Sequence, residues 1–467
     1  MKYLALIIAA FTSAEMQAFQ LAPRLVVNIT IDQLRTDYME AFAPLYSDGG
    51  FRRLLHDGLV YDGASYPFSP IERSSAVATL STGTTPYYNG IIASQWLDRE
   101  TLQPISCVDD ATYTASPQRL KTSTVSDELK ISSDGMAWVY SFAPDRETAI
   151  LSAGHAGDGA FWIDNSGQWK WSMYYGAYAP EWVRTYNANS RQALKNKRLA
   201  NDNVVDLSLI ALASSQMGKD DVSDLLYITL SAAKNDDTTV SKWQSEMEDV
   251  YLRLDKSLDK LITGIDKQIG LDKVLFVVTS TGYTQEYNTN LEKYRVPTGT
   301  FYINRTANLL NIYLGAIYGQ GRYVDQCFGN QIYLNRKLIE QKRAPLSEVL
   351  ERCQSFLIQN AGVADVYTTD RLLAGNFEIA RMRNGFNPSA SGDIIVEVTP
   401  GWKLLNENTH ETYTSRAGVV PFPIIFMGKD ITPQRITTPV TVDQIAPTVA
   451  KAIRIRAPNA CNSAPLF

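Results

Sequence analysis

The chain has 467 residues, 45% of them hydrophobic and 20% charged, with a formal net charge of −5. That length admits one large α/β domain or two smaller ones, and the composition is ordinary for a globular protein. The acidic balance argues against nucleic acid as a partner, because nucleic acid rewards basic surfaces.

The chain opens with Met1-Lys2, a short positive start, and Tyr3 to Phe11 is an apolar run too short to span a bilayer. Met16-Gln17-Ala18 resembles a cleavage site, so residues 1–18 read as an export signal and 19–467 as the mature chain. An uncleaved N-terminal anchor is the competing reading. No later segment is apolar enough to span a membrane.

Leu25 to Asp32 reads as a buried strand ending in an acid. His56 follows Phe51-Arg52-Arg53-Leu54-Leu55 in an amphipathic helix and reads as a surface residue. Next come Ser69-Pro70-Ile71-Glu72-Arg73-Ser74-Ser75, Ser81-Thr82-Gly83 and Asn89-Gly90-Ile91. The stretch from about 94 to 222 is rich in Trp and Tyr and is expected to be a cap insertion. Its aromatic residues suit packing better than a sugar or peptide site.

Leu225 to Leu230 is a second apolar strand. From Glu246 to Gly270, Met247, Val250, Tyr251, Leu254, Leu258, Leu261, Ile262 and Ile265 mark one face of a long helix, with Gly270 as its stop. Val274 to Thr279 is a continuous apolar strand, as a parallel sheet covered on both faces requires. A second cap is expected over about 284–420, followed by a strand at Pro423 to Gly428. Strands separated by helices imply a layered α/β fold, with ligands at the carboxyl ends of the strands. Cys107, Cys327, Cys353 and Cys461 form an even set, which in an exported chain predicts at least one disulfide; buried thiols are the alternative.

These segments together resemble the alkaline phosphatase superfamily, close to its PafA-like and type I phosphodiesterase/nucleotide pyrophosphatase members. The resemblance covers nearly the whole mature chain. It also rests on Ser126-Asp127-Glu128-Leu129-Lys130, Ala153-Gly154-His155-Ala156-Gly157-Asp158 with Trp162, and Tyr251-Leu252-Arg253-Leu254-Asp255. Further support comes from Gln331 to Arg336, Ser391-Gly392-Asp393-Ile394, Ile445-Ala446-Pro447-Thr448 and Pro458-Asn459-Ala460-Cys461. It implies an alkaline-phosphatase-like sandwich: a mostly parallel central sheet with helices on both faces, plus the two caps.

The resemblance also implies two zinc ions roughly 4 Å apart, clamping the attacking and leaving oxygens. Such a pair takes about six aspartate and histidine ligands and a threonine or serine nucleophile. The first family aspartate matches Asp32. Counting back from Thr82-Gly83 places the nucleophile at Arg73, which cannot attack phosphorus, with Ser74 beside it. The next aspartate and histidine are missing around Ala233, and Lys234 precedes the late Asp236 and Asp237. Ser280-Thr281-Gly282 stands where an Asp-His-Gly triplet is expected, and Pro421, in Gly418-Val419-Val420-Pro421, stands where a last histidine is expected. His410 lies upstream in a polar loop, and His155 falls in a stretch read as structural. A phosphate-binding asparagine becomes Ser94, and a Lys-x-Arg pair keeps only Arg146.

The expectation from the resemblance is therefore a chain without its zinc pair and without a cofactor. Asp32 is expected to pair with Arg35 or Arg73; in the latter case an internal cation replaces the metal. The main expectation is a catalytically inactive scaffold subunit, exported to the periplasm and held by protein partners in an envelope assembly. One alternative is a phosphomonoesterase or phosphodiesterase with a rebuilt site, using Ser74 with Asp32, Asp236 and Asp237 around a hard cation. Another is a sugar- or phosphate-binding protein using Arg73, Arg146 and cap aromatics.

Overall fold

The computed structural model describes residues 21–467 except 190–199, 234–242, 285–294, 296 and 415–419. The proposed signal at 1–18, together with Lys234, Asp236, Asp237, Gly418 and Val419, lies outside the described residues.

The central sheet has ten strands. In chain order they are β1 (Leu25–Asp32), β2 (Leu59–Ser65), β3 (Val139–Ala143), β4 (Gly159–Ile163), β5 (Trp169–Trp171), β6 (Asp224–Ser231), β7 (Val274–Ser280), β8 (Phe422–Gly428), β9 (Gln434–Ile436) and β10 (Val440–Thr441). Their lateral order is β9-β2-β8-β7-β1-β6-β3-β4-β5, with β10 also on β2. Strands β7, β1, β6, β3 and β4 run parallel. The apolar runs at β1, β6 and β7 are buried almost throughout because helices cover both faces. Strand β8 shows the same apolar signature but pairs antiparallel with β7 and β2, so the sheet is mixed. Continuous burial does not distinguish the two directions.

The helices that matter for the site are α1 (Arg73–Thr82), α2 (Val125–Ser132), α3 (Arg146–Ala153), α4 (Ala200–Ser214) and α5 (Trp243–Gln268). Helix α5 buries the predicted stripe from Met247 to Ile265 against the sheet. Its chain leaves through Gly270 at φ +92°, a conformation that penalises any side chain.

Two expectations need correction. Residues 94–222 are not a cap, because they supply β3, β4 and β5 together with α2, α3 and α4. Short strands interleaved with aromatic residues hid this: Phe161 stacks on Phe142 at 5.1 Å, and Trp169 is fully buried in the same core. The expected disulfide is absent as well, since all four cysteines are free thiols. Cys327 and Cys353 share one apolar cluster without pairing, and Cys107 lies in another.

The 284–420 region has its own layers: a four-stranded sheet, a three-stranded sheet and the helices Ile303–Tyr318 and Leu346–Leu357 over a separate core. Asp393, 1% exposed, ties it to the body. Its carboxylate accepts from the Leu334 amide at 2.8 Å and from Arg336 at 2.5 and 2.8 Å, and pairs with Arg99 at 3.3 Å. The Ser69 amide, just before α1, donates to the Arg381 carbonyl at 2.9 Å.

Candidate functional site

The carboxyl ends of β1, β6, β7 and β3 come together on one edge of the sheet, where doubly wound folds place their ligands. Asp32 closes β1, in register with Ser231 at the end of β6. Helix α1 begins at Arg73 behind Glu72, whose amide donates to the Ser75 hydroxyl at 3.1 Å while that hydroxyl donates to the Glu72 carbonyl at 2.9 Å. That cap sets Arg73 on the first turn, facing Asp32.

Arg73 Nη2 donates to Asp32 Oδ2 at 2.8 Å, and Arg73 Nη1 stands 3.6 Å from Asp145 Oδ2. Asp145 follows β3 and caps α3, accepting from the Thr148 amide at 2.9 Å and its hydroxyl at 2.6 Å. The second Asp32 oxygen accepts the Thr281 hydroxyl at 2.9 Å. The Asp32 side chain is 3% exposed, whereas Arg73 is 36% and Asp145 26% exposed. Of these three side chains, the Arg73 guanidinium and the Asp145 carboxyl are the accessible ones.

Burial works against the Arg73 charge, but Asp32 and then Asp145 outweigh it and raise the guanidinium's pKa. Burial pushes the Asp145 carboxyl above its ordinary value, with Arg73 and the Thr148 hydrogen bonds pulling the other way.

Several expected site residues lie elsewhere. Ser74 is 1% exposed and shares a 2.9 Å hydrogen bond with the Ser94 hydroxyl, so Arg73 holds the cleft position instead. Arg146 turns to Glu147 at 2.9 Å and Asp109 at 3.1 Å and does not join Arg73. Arg35 pairs with Asp37, leaving Asp32 to Arg73. The Ser280 hydroxyl donates to the Leu34 carbonyl and accepts the Gly282 amide. A side chain at Gly282 would meet the Tyr66 ring at 2.6 Å, so the retained glycine serves packing. The Pro421 carbonyl accepts the Thr36 amide, and the Ala233 amide donates to Ser231. His155 contacts Asp127 and the Leu120 carbonyl, away from Arg73, and His56 and His410 are exposed.

Asp145 was not foreseen from the sequence. Its signal was present: an aspartate three residues before Thr148, directly after an apolar run, is a helix cap at a strand's carboxyl end.

A family model described as type I phosphodiesterase/nucleotide pyrophosphatase matches residues 26–418. The chain belongs to that family. It is 24% identical to the alkaline phosphatase PafA of Elizabethkingia meningoseptica, over 95% of this chain and 94% of that one. It is 25% identical to the alkaline phosphatase PhoV of Synechococcus elongatus, over 94% and 91% respectively. The crystal structure of wild-type alkaline phosphatase PafA superposes with a TM-score of 0.83 at 24% identity, covering 95% of this chain and 98% of that chain. At that identity the superposition establishes the alkaline-phosphatase-like fold.

These findings overturn the expectation of an inactive scaffold. The family and its full-length relatives point to phosphoric ester hydrolysis. A guanidinium can meet phosphoryl charge without a metal.

The zinc pair implied by the family does not fit the described residues at this edge. Both Asp32 oxygens are engaged, by Arg73 and by Thr281. The described residues at the other positions that the resemblance assigns to ligands carry hydroxyls, a proline or an alanine, and among the described residues no group of three or more His, Cys, Asp or Glu side chains is arranged to hold a metal.

Proposed function

We propose that this chain hydrolyses phosphoric esters at the carboxyl edge of the central sheet, with Arg73 receiving the phosphoryl group and Asp145 acting as the proton donor. The observation that carries the reading is the Arg73 guanidinium, fixed by Asp32 at 2.8 Å and still 36% exposed beside Asp145. A guanidinium carries several N–H donors, so one arm can hold Asp32 while the other meets a phosphoryl oxygen. The longer contact to Asp145 is the one an incoming phosphate displaces.

In the proposed reaction, water attacks phosphorus in line with the ester oxygen. The P–O ester bond breaks with its electron pair on the leaving oxygen, which takes the Asp145 proton. The attacking water loses its proton to solvent, and Asp145 is reprotonated from solvent. A protonated Asp145 also avoids repulsion between a carboxylate and the phosphate. The guanidinium lowers the barrier chiefly by stabilising the negative charge that develops in the transition state.

We also read the chain as exported, on the strength of its N-terminal charge and apolar run. No helix among the described residues is long and apolar enough to cross a membrane.

Initial rates with an aryl phosphate monoester and an aryl phosphodiester test the reading. Turnover is expected from the native chain, lost in Arg73→Ala and weakened in Asp145→Asn. Background rates on both esters across the acid-to-alkaline range would contradict it.

A further inference from the structure

We propose that the Arg73 guanidinium is a built-in substitute for the metal charge, so that this site takes phosphate-type anions with no metal ion bound. The inference rests on the phosphoester-directed reading above and concerns what supplies the positive charge.

Three observations carry it. The guanidinium occupies the approach to Asp32 that a cation would need, at 2.8 Å from Oδ2. A divalent ion brought to the same carboxylate would face that fixed positive charge a few ångströms away, with water largely excluded from Asp32.

The second lies in the turn that follows β7. Thr281 Oγ1 donates to Asp32 Oδ1 and accepts the Gln33 amide at 3.0 Å. The adjoining Ser280 hydroxyl is held by the Leu34 carbonyl, and both residues are fully buried. This turn is fastened by neutral hydroxyls in the place where carboxylate and imidazole ligands would be needed.

Third, the guanidinium keeps an open edge. Its bond to Asp32 uses Nη2, while Nη1 meets Asp145 only at 3.6 Å. A phosphate oxygen can take Nη1 without disturbing Asp32. The two halves of the side chain thus divide the work: one is anchored and the other is available to an anion.

The test uses the full chain dialysed against zinc, with metal content read by mass spectrometry and inorganic phosphate as the probe in thermal-shift titrations with and without a chelator. The expected result is less than stoichiometric zinc and a phosphate-induced shift that survives chelation. Phosphate affinity should fall roughly tenfold or more in Arg73→Ala. If Arg73→Ala does not fold, Arg73→Lys keeps the charge but removes the planar fork, and should weaken the phosphate response while leaving the fold intact. One or two tightly bound zinc ions per chain, a phosphate response abolished by chelator, or a response unchanged in the Arg73 variants would overturn the proposal. Phosphate binding without ester turnover would instead refute the hydrolase reading and leave this inference standing.

Discussion

Thr281 donates its hydroxyl to Asp32 at 2.9 Å and with the same oxygen accepts the amide of Gln33. One side chain therefore satisfies a buried carboxylate and a buried amide together. Thr281→Val keeps the shape and removes both bonds. It should cost about 1–3 kcal/mol, the penalty for leaving buried polar groups unpaired. Chemical denaturation checks this, and Thr281→Ser, which keeps the hydroxyl, should lose much less.

Removing Arg73 exposes a different cost. Asp32 would remain buried beside Thr281 without its cation. Breaking such a pair costs about 3–5 kcal/mol, and the partial exposure of Arg73 places Arg73→Ala near the lower end. Adding Asp32→Asn to that variant should recover part of the loss, because the uncompensated charge is then gone. A double variant no more stable than Arg73→Ala alone would show that Asp32 is not held by this pair.

His155 predicts a pH dependence remote from the site. Its Nδ1 lies 2.9 Å from Asp127 Oδ2 and its Nε2 lies 3.0 Å from the Leu120 carbonyl. Both partners are acceptors, so the doubly protonated imidazolium is favoured. The Asp127 hydrogen bond, against some loss from burial, raises the His155 pKa. Burial opposes the Asp127 charge, but the His155 hydrogen bond and charge, together with the Thr124 and Ala156 amides, outweigh it and lower that carboxyl. The histidine's contribution is complete below its unfolded value of about 6.5 and is lost as pH rises through the raised folded value. The aspartate's is present above about 3.9 and is lost as pH falls through the depressed folded value. The pair should therefore stabilise most between these limits. His155→Gln should cost about 1–2 kcal/mol at mildly acidic pH, and less in alkaline solution. A pH-independent difference in denaturation midpoint would argue against the imidazolium.

The four thiols should behave unequally. Burial pushes Cys327 and Cys353 up to about 12 and raises Cys107 as well, while Cys461 is half-buried. The thiolate is the reactive form, so the native chain should be alkylated first at Cys461. Four alkylated cysteines after denaturation without reductant would match the structure, and two fewer alkyl groups per pair would reveal a disulfide.

The proposed acid role of Asp145 fixes the sign of the rate profile. Burial raises its carboxyl, Arg73 lowers it and Glu147 adds to the rise. Hydrolysis needs the protonated form, so turnover should fall as pH rises through the Asp145 value. Asp145→Asn should flatten that limb. A rate that climbs steadily into alkaline solution would exclude Asp145 as the donor.

Much of this arrangement could be read in the residues. The runs at Leu25–Asp32, Leu225–Leu230 and Val274–Thr279 declared buried strands because two covered faces leave no room for polar alternation. The residues offered Arg35 and Arg73 alike as partners for Asp32, and the fold selects Arg73 by turning Arg35 to Asp37. Val139–Ala143 was obscured because five residues, one of them Ser141, carry little periodic signal. Asp145 escaped notice because its neighbour Arg146 drew attention as a phosphate binder, while the fold sends Arg146 to Asp109 and Glu147. The cysteines misled through their even count, since pairing depends on Cα separations that sequence does not carry.

Arg73, rather than a metal pair, is proposed to meet the phosphoryl group during ester hydrolysis. The most direct test is the rate of aryl phosphate hydrolysis by native chain and by Arg73→Ala, each in excess chelator. The native rate should survive chelation, and the Arg73→Ala rate should fall to background. A native rate abolished by chelator and restored by zinc, or an Arg73→Ala rate equal to the native one, would contradict this role for Arg73.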